Sequence, residues 1–184
     1  MQVTVDNQES STRTVQRRLV AMIGLALAVV VLDQAAKAWV RTNIPVGGEL
    51  TVWPGVVHLS HVLNRGAAWN MLAGQRWFLV AITVIVIGGI VTSSRHLVAR
   101  GVLCVWAIGL LLGGAVGNLF DRIAHGAVTD MIDMDTSWRV LRDFPVFNLA
   151  DSALTLGVVL LLLHSLRGET SLEERREAQA PKPV

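Results

Sequence analysis

At 184 residues, 52% hydrophobic and 16% charged, with a mean hydropathy of +0.51, the chain is too apolar for a water-soluble domain of this length and reads as a small membrane protein. Sixteen Lys and Arg against fourteen Asp and Glu leave a net charge of +2, so there is no basic surplus for a nucleic-acid footprint and no nucleic-acid partner is expected. The single cysteine, Cys104, can form neither an intrachain disulfide nor a thiolate metal cage.

After a polar N-terminal segment, 1–18, charge-depleted stretches at 19–40, 77–94, 101–120 and 146–166 each approach the roughly 20 residues that a helix needs to cross the bilayer core. The first has 14 uncharged residues between Arg18 and Asp33, so it reaches spanning length only with Asp33 and Lys37 inside it. Its basic flank and short apolar run also resemble a secretory signal. The following Asp-Gln-Ala-Ala-Lys is a poor cleavage site, however, and continues the helical pattern. Residues 50–63, rich in β-branched side chains and broken by Pro54-Gly55, predict a short hairpin. Residues 136–147 offer a further extended piece, with Trp138, Phe144 and Phe147 suited to the membrane interface. The polar tail 167–184 and the region before Arg13 read as frayed appendages. The expected fold is an all-α polytopic membrane protein, a four-transmembrane-helix bundle over 19–166 carrying a small extracytoplasmic β platform.

Four spans put both termini on one side. Lys and Arg number nine in the 44 residues of 1–18, 93–100 and 167–184, against six in the 61 residues of 41–76 and 121–145. The more basic set faces the cytoplasm. Asp33, Asn64, Asn118, Asp121, Arg122, Asp130, Asn148 and Asp151 then all converge on the outer membrane face, although they are scattered over more than a hundred positions.

Ionisable groups in a span are costly, about 2.5–3.5 kcal/mol at its centre on insertion scales, so each needs a partner or a task. Asp130 and Asp151 can act as a carboxylate pair: two close carboxylates do not both ionise cheaply, and one holds a proton while the other takes one from water. Alternatively, Asp151 caps the fourth helix and Asp130 is a loop carboxylate; spacing leaves both readings open. Asp33 and Lys37, four apart, either pair within the membrane or simply end the helix with Lys37 snorkelling to the interface. Arg122 is either an interface anchor or a brace for Asp121 and the loop holding Asp130.

Other patterns point away from common sites. His58 and His61 lie in a strand-like stretch without a third ligand, so no metal site is expected. Asp130, Asp133 and Asp135 lack the Gly and terminal Glu of a calcium loop. Gly113-Gly114 and Gly117 suit helix packing, since no Lys-Ser/Thr follows as in a phosphate loop. Two functions of other classes remain: a proton-coupled carrier relaying through Asp33 and Asp151, which predicts an inverted repeat that the halves do not show, and an assembly scaffold packing through Gly88-Gly89 and Gly113-Gly114.

Five ordered blocks add a specific likeness. Val31-Leu-Asp-Gln-Ala-Ala-Lys37, Asn64-Arg-Gly-Ala-Ala-Trp69, Gly113-Gly-Ala-Val-Gly-Asn-Leu-Phe-Asp-Arg122, Gly126-Ala-Val-Thr-Asp130 and Phe147-Asn-Leu-Ala-Asp151 resemble, in order, the motifs of bacterial lipoprotein signal peptidase (signal peptidase II). The resemblance covers about 18–166. It implies an aspartic endopeptidase, a hydrolase of the bacterial cytoplasmic membrane, that removes signal peptides from prolipoproteins just before a diacylglyceryl-modified cysteine. It puts the catalytic pair on Asp130 and Asp151, and substrate-binding roles on Asn64, Asn118, Arg122 and Asn148. Asp33, Lys37 and Asp121 become structural polar residues. It implies no metal or organic cofactor, and the partners are the lipidated substrate and membrane lipid. The chain departs from the family at Trp69 and Asn70, where Phe and Ser are usual, and at Met131, where Phe is frequent; these differences bear on the shape of the pocket.

Overall fold

A computed structural model describes residues 2–67, 71–136, 138 and 143–179, with side chains at 10–67, 71–136, 138 and 143–167. Trp69 and Asn70 lie outside the described residues, as do 137 and 139–142. Four helices, α1 (Gln2–Asn43), α2 (Arg76–Ala99), α3 (Val102–Ala124) and α4 (Leu149–Gln179), carry a three-stranded sheet at one end, formed by β1 (Glu49–Trp53), β2 (Val57–Asn64) and β3 (Val128–Asp133).

Each helix contains a stretch long and apolar enough to cross a membrane: Ser10–Asn43, Arg76–Ala99, Val102–Ala124 and Leu149–Arg167. The outer helices run further than charge depletion indicates. α1 begins at Gln2 and α4 continues to Gln179, so the described parts of the polar segments expected to fray, 2–12 and 167–179, continue these helices. Their Glu, Gln, Arg and Ala residues are good helix formers, and polarity alone does not stop a helix. The fourth span starts later than expected, at Leu149 rather than residue 146, because Asn148 caps it.

α3 is the central helix and packs against the other three. Its glycines permit the close approach: a methyl group on Gly113 would meet the Ala26 carbonyl of α1 at 2.8 Å, and one on Gly114 the Ala150 carbonyl of α4 at 2.5 Å. By contrast a methyl group on Gly88 or Gly89 of α2 would meet nothing within 4 Å. Apolar side chains such as Leu27, Val31, Ile85 and Leu162 point outward, as the lipid-facing surface of a spanning helix demands. At the end away from the sheet, the Arg18 guanidinium donates to the carbonyls of Val98 (3.1 Å) and Ala99 (2.9 Å), adding a side-chain donor to the carbonyls where α2 ends.

The strands are antiparallel in the order β1-β2-β3. β1 and β2 form the expected hairpin. Pro54 and Gly55 are the central residues of its turn: Pro fixes the first φ, Gly55 supplies the second at +71°, and the Val56 N–H donates to the Trp53 carbonyl at 3.0 Å, the pattern of a type II turn. Asp130, for which a loop carboxylate is one of the two readings from sequence, belongs to β3, as does Asp133. Of the extended piece expected at 136–147, Phe147 forms one bridge to Ile132, donating to its carbonyl at 3.1 Å and accepting from its N–H at 2.7 Å. This clip seats the start of α4 against β3. Val40 and Ile44 of α1 cluster with the buried Met131 at the sheet end, with Leu59 and Ile132 packed against them.

Candidate active site

Deep at the sheet end, α1 presents Asp33, Lys37 and Arg41 one turn apart, in the i, i+4 spacing that puts them on one helix face. Asp33 and Lys37 are fully buried and paired at 2.8 Å; Lys37 also meets Asp121 of α3 at 3.1 Å. A snorkelling Lys37 is therefore ruled out. Asp33 Oδ1 accepts from the Ala150 N–H at 3.0 Å, closing an open donor in the first turn of α4. Asp121 accepts from Lys37, from Gln34 Nε2 (3.1 Å) and from the Thr129 N–H (3.0 Å), while Arg41 reaches both Asp121 (3.5 Å) and Thr129 Oγ1 (3.1 Å). Asp121 thus ties the helices to the strand residue immediately before Asp130. A buried cluster with two carboxylates and two cations satisfies its charges internally, which the low-dielectric surroundings require.

Asp130 and Asp151 come to one place from different elements, and Asn148 joins them. Asn148 caps α4 reciprocally with Asp151: its Oδ1 accepts from the Asp151 N–H at 2.9 Å, and its own N–H donates to Asp151 Oδ2 at 3.2 Å, the geometry of a capping box. The capping reading of Asp151 is therefore correct, and it does not exclude the other. The remaining donor of Asn148, Nδ2, goes to Asp130 Oδ1 at 2.7 Å. Asn64 Nδ2 donates to the second Asp130 oxygen at 3.0 Å, and Asn118 Nδ2 to Asp151 Oδ1 at 2.8 Å. Asn118 is itself held by Lys37, whose Nζ donates to Asn118 Oδ1 at 3.0 Å. With its oxygen engaged by a cation, Asn118 can present only its NH₂ to Asp151.

Burial, followed by the neighbouring Asp151 carboxylate, raises the Asp130 carboxyl from its ordinary value of 3.8 to about 6. Both carboxylates line a cavity of about 540 Å³ that runs from the sheet down between α2, α3 and α4, with Asn64, Asn118 and Arg122 on its wall and Ile82, Val86 and Leu154 deeper. Arg122 donates to the Gly66 carbonyl at 3.0 Å and to the Asn118 carbonyl at 3.4 Å, so it braces the strand end after Asn64 and not Asp121 or β3. Gln34, Arg41 and Thr129 belong to the network without having been singled out from sequence; the Asp33, Lys37, Arg41 periodicity was a signal for Arg41, whereas Thr129 is revealed only by the fold. His58 pairs with Asp135 (3.2 Å) and Glu49 (3.6 Å), and His61 Nδ1 lies 2.7 Å from the Ile44 carbonyl. The two imidazoles thus have separate structural partners.

Comparison with known proteins agrees with this architecture. A family profile described as signal peptidase (SPase) II matches residues 25–167. A lipoprotein signal peptidase of Geobacillus thermodenitrificans is 43% identical over 140 residues, covering 76% of this chain and 86% of its own length. One from Symbiobacterium thermophilum is 44% identical over 142 residues, covering 77% and 91%. Two solved structures of bacterial membrane enzymes superpose with TM-scores of 0.72; at 34% and 36% identity they cover 89% and 79% of this chain and 93% and 92% of their own. With four membrane-length helices, a polar cluster at their sheet end and a family match over most of its length, the chain belongs to the signal peptidase II family of aspartic peptidases.

Proposed function

We propose that this protein cleaves signal peptides from diacylglyceryl-modified prolipoproteins at the bond before the lipidated cysteine, with Asp130 and Asp151 as the catalytic pair. The observation that carries the reading is the junction at Asn148, which holds a carboxylate of β3 and a carboxylate of α4 against one cavity. Whichever carboxylate is ionised takes a proton from a water molecule as the water oxygen attacks the scissile carbonyl carbon. The other carboxyl gives its proton to the departing amide nitrogen, and the pair exchanges roles on return to the starting state. The pair is best described by shared titrations rather than by two independent acids. This chemistry needs only the two carboxyl groups and water; no metal or organic cofactor has a step to perform.

Asn64, Asn118 and Asn148 supply the donors that fix the carboxylate orientations, and with Arg122 they line the wall that the peptide contacts. Asp33, Lys37 and Asp121 hold this wall in place from behind. The peptidase unit is 19–166, with 1–18 and 167–184 flanking it on the cytoplasmic side; the site opens on the extracytoplasmic side of the cytoplasmic membrane, where the lipidated substrate arrives. The acyl chains of the substrate share the membrane with the enzyme, so their contribution is to set the depth and orientation of the scissile bond. Purified protein in detergent, given a diacylglyceryl-modified prolipoprotein, should release a peptide whose mass ends at the residue before the cysteine. The same precursor with an unmodified cysteine should be cleaved far more slowly in the same micelles. Release at another bond, or no release from the lipidated precursor, would overturn the proposal.

A further inference from the structure

The strand that carries Asp130 is least regular where that residue sits. In the β2–β3 ladder Leu59 pairs with Ile132 but Val62 with Asp130, so Ser60 and His61 both stand opposite Met131. A bulge of this kind disrupts the local ladder, and the Met131 N–H goes instead to the Phe147 carbonyl at 3.0 Å. Alternation along β3 turns Val128 and Asp130 into the cavity and puts Thr129 and Met131 on the other side, where they meet α1 and α3.

On that rear side the last turn of α1 grips the residues on either side of Asp130. Met131, 3% exposed, clusters with Val40 and Ile44. Thr129 is fully buried and is held at two points: its N–H donates to Asp121 Oδ2 at 3.0 Å, and its Oγ1 accepts from Arg41 Nη1 at 3.1 Å. A single contact would leave the strand free to roll about its own axis. Two contacts on one residue, one to backbone and one to side chain, fix the roll and with it the direction of the next side chain. Arg41 Nη1 also lies 3.5 Å from Asp121 Oδ1, which closes a triangle of three residues. A cation in the last turn of a helix is favoured by the macrodipole whichever way it points. This one points inward, with 21% of its side chain exposed.

We infer that Arg41 is a positioning residue for the peptidase reaction: by fixing Thr129 it sets the angle at which Asp130 enters the cavity. The inference rests on the reading of Asp130 as one of the catalytic pair. From the cavity side Asn64 and Asn148 take the two carboxylate oxygens; from behind, Arg41 fixes the backbone to which that carboxylate is attached. Arg41 does not line the cavity, so its effect on the reaction passes through Thr129 and Asp121. A misplacement of about 1 Å in a reacting group costs up to about 10²-fold in rate, which makes the angle of Asp130 a quantity worth holding from two sides.

The test compares the full chain, purified in one detergent, with Arg41→Met, Thr129→Val and the double variant, on a lipidated prolipoprotein. Each single change strips one partner from a buried contact and leaves the other unsatisfied, whereas the double change removes both. Each single variant should lose about 10- to 10²-fold in kcat with KM held within about twofold, and the double variant should lose no more than the worse single. The infrared carbonyl stretch of Asp130, assigned with labelled aspartate by its disappearance in Asp130→Asn, should shift in each single variant, because a carboxyl set at a new angle changes its bonds to Asn64 and Asn148. Should Arg41→Met fail to accumulate, Thr129→Val is read by the same two measurements. An unshifted band would overturn the inference whatever happens to turnover, and so would losses that multiply in the double variant, since the two residues would then act independently. A shifted band with unchanged kcat would support the positioning and count against Asp130 as a catalytic group, which keeps the two readings separable.

Discussion

Asn148 holds two acids together with three of its groups: backbone N–H and side-chain oxygen to Asp151, side-chain NH₂ to Asp130. The site therefore depends on carboxylates at both ends of this junction. Asp130→Asn and Asp151→Asn are each expected to lower turnover by about 10²–10⁴-fold while the protein still accumulates in the membrane, because an amide cannot pass a proton between water and leaving group. Substantial cleavage by either purified variant would remove that residue from the pair. The titration of Asp130 offers a separate check. Burial and the Asp151 charge both raise it, to about 6; Asp151→Asn removes the second cause and keeps the first. Its pKa should fall in that variant yet stay above 3.8, as followed by the carboxyl stretch in the infrared with labelled aspartate. An unchanged value would mean that the two carboxylates do not sense each other. Of this site, the two acids and the four residues around them are legible in the sequence, because alternating spans bring them to one face and the motif blocks name them. The triple use of Asn148 and the Lys37–Asn118–Asp151 relay are not, since each depends on the direction in which an amide points.

At the scale of elements, the helices and the first hairpin announce themselves through runs without charge and through Pro54-Gly55 between β-branched stretches. β3 does not. Val128–Asp133 contains two aspartates, and its partner strand ends 64 positions earlier in the chain, so no local pattern reveals the pairing. The close packing of α3 on α4 is also a property of the fold, and it is open to test. A methyl group on Gly114 would sit 2.5 Å from the Ala150 carbonyl and 2.8 Å from Leu154 Cγ. Gly114→Ala should therefore destabilise the protein by about 1–3 kcal/mol, the usual penalty for overpacking, and reduce turnover, because Ala150 lies between Asn148 and Asp151. Gly88→Ala, with nothing within 4 Å, should be neutral or stabilising by up to about 1 kcal/mol through helix propensity. Thermal unfolding in one detergent compares the two; equal losses would contradict the packing described.

For the whole molecule, the polar cluster and the sheet lie at the same end of the bundle, so orientation in the membrane decides which compartment the site serves. Reporters fused after Val184 or inserted after Arg95 should read as cytoplasmic, and reporters at Gly55 or Thr136 as external. The opposite pattern would turn the carboxylates toward the wrong compartment for a secreted precursor. The position of Lys37 also bears on how the chain enters the membrane. Asp33 and Lys37 lie one turn apart on a single helix and contact each other at 2.8 Å, so α1 carries its own counter-charge when it is the only span yet synthesised. Asp121 and Asn118, the other partners of Lys37, arrive with the third span. Lys37 thus has a counter-charge within its own helix, and α3 adds the partners that make this pair the support of the carboxylates at the sheet end.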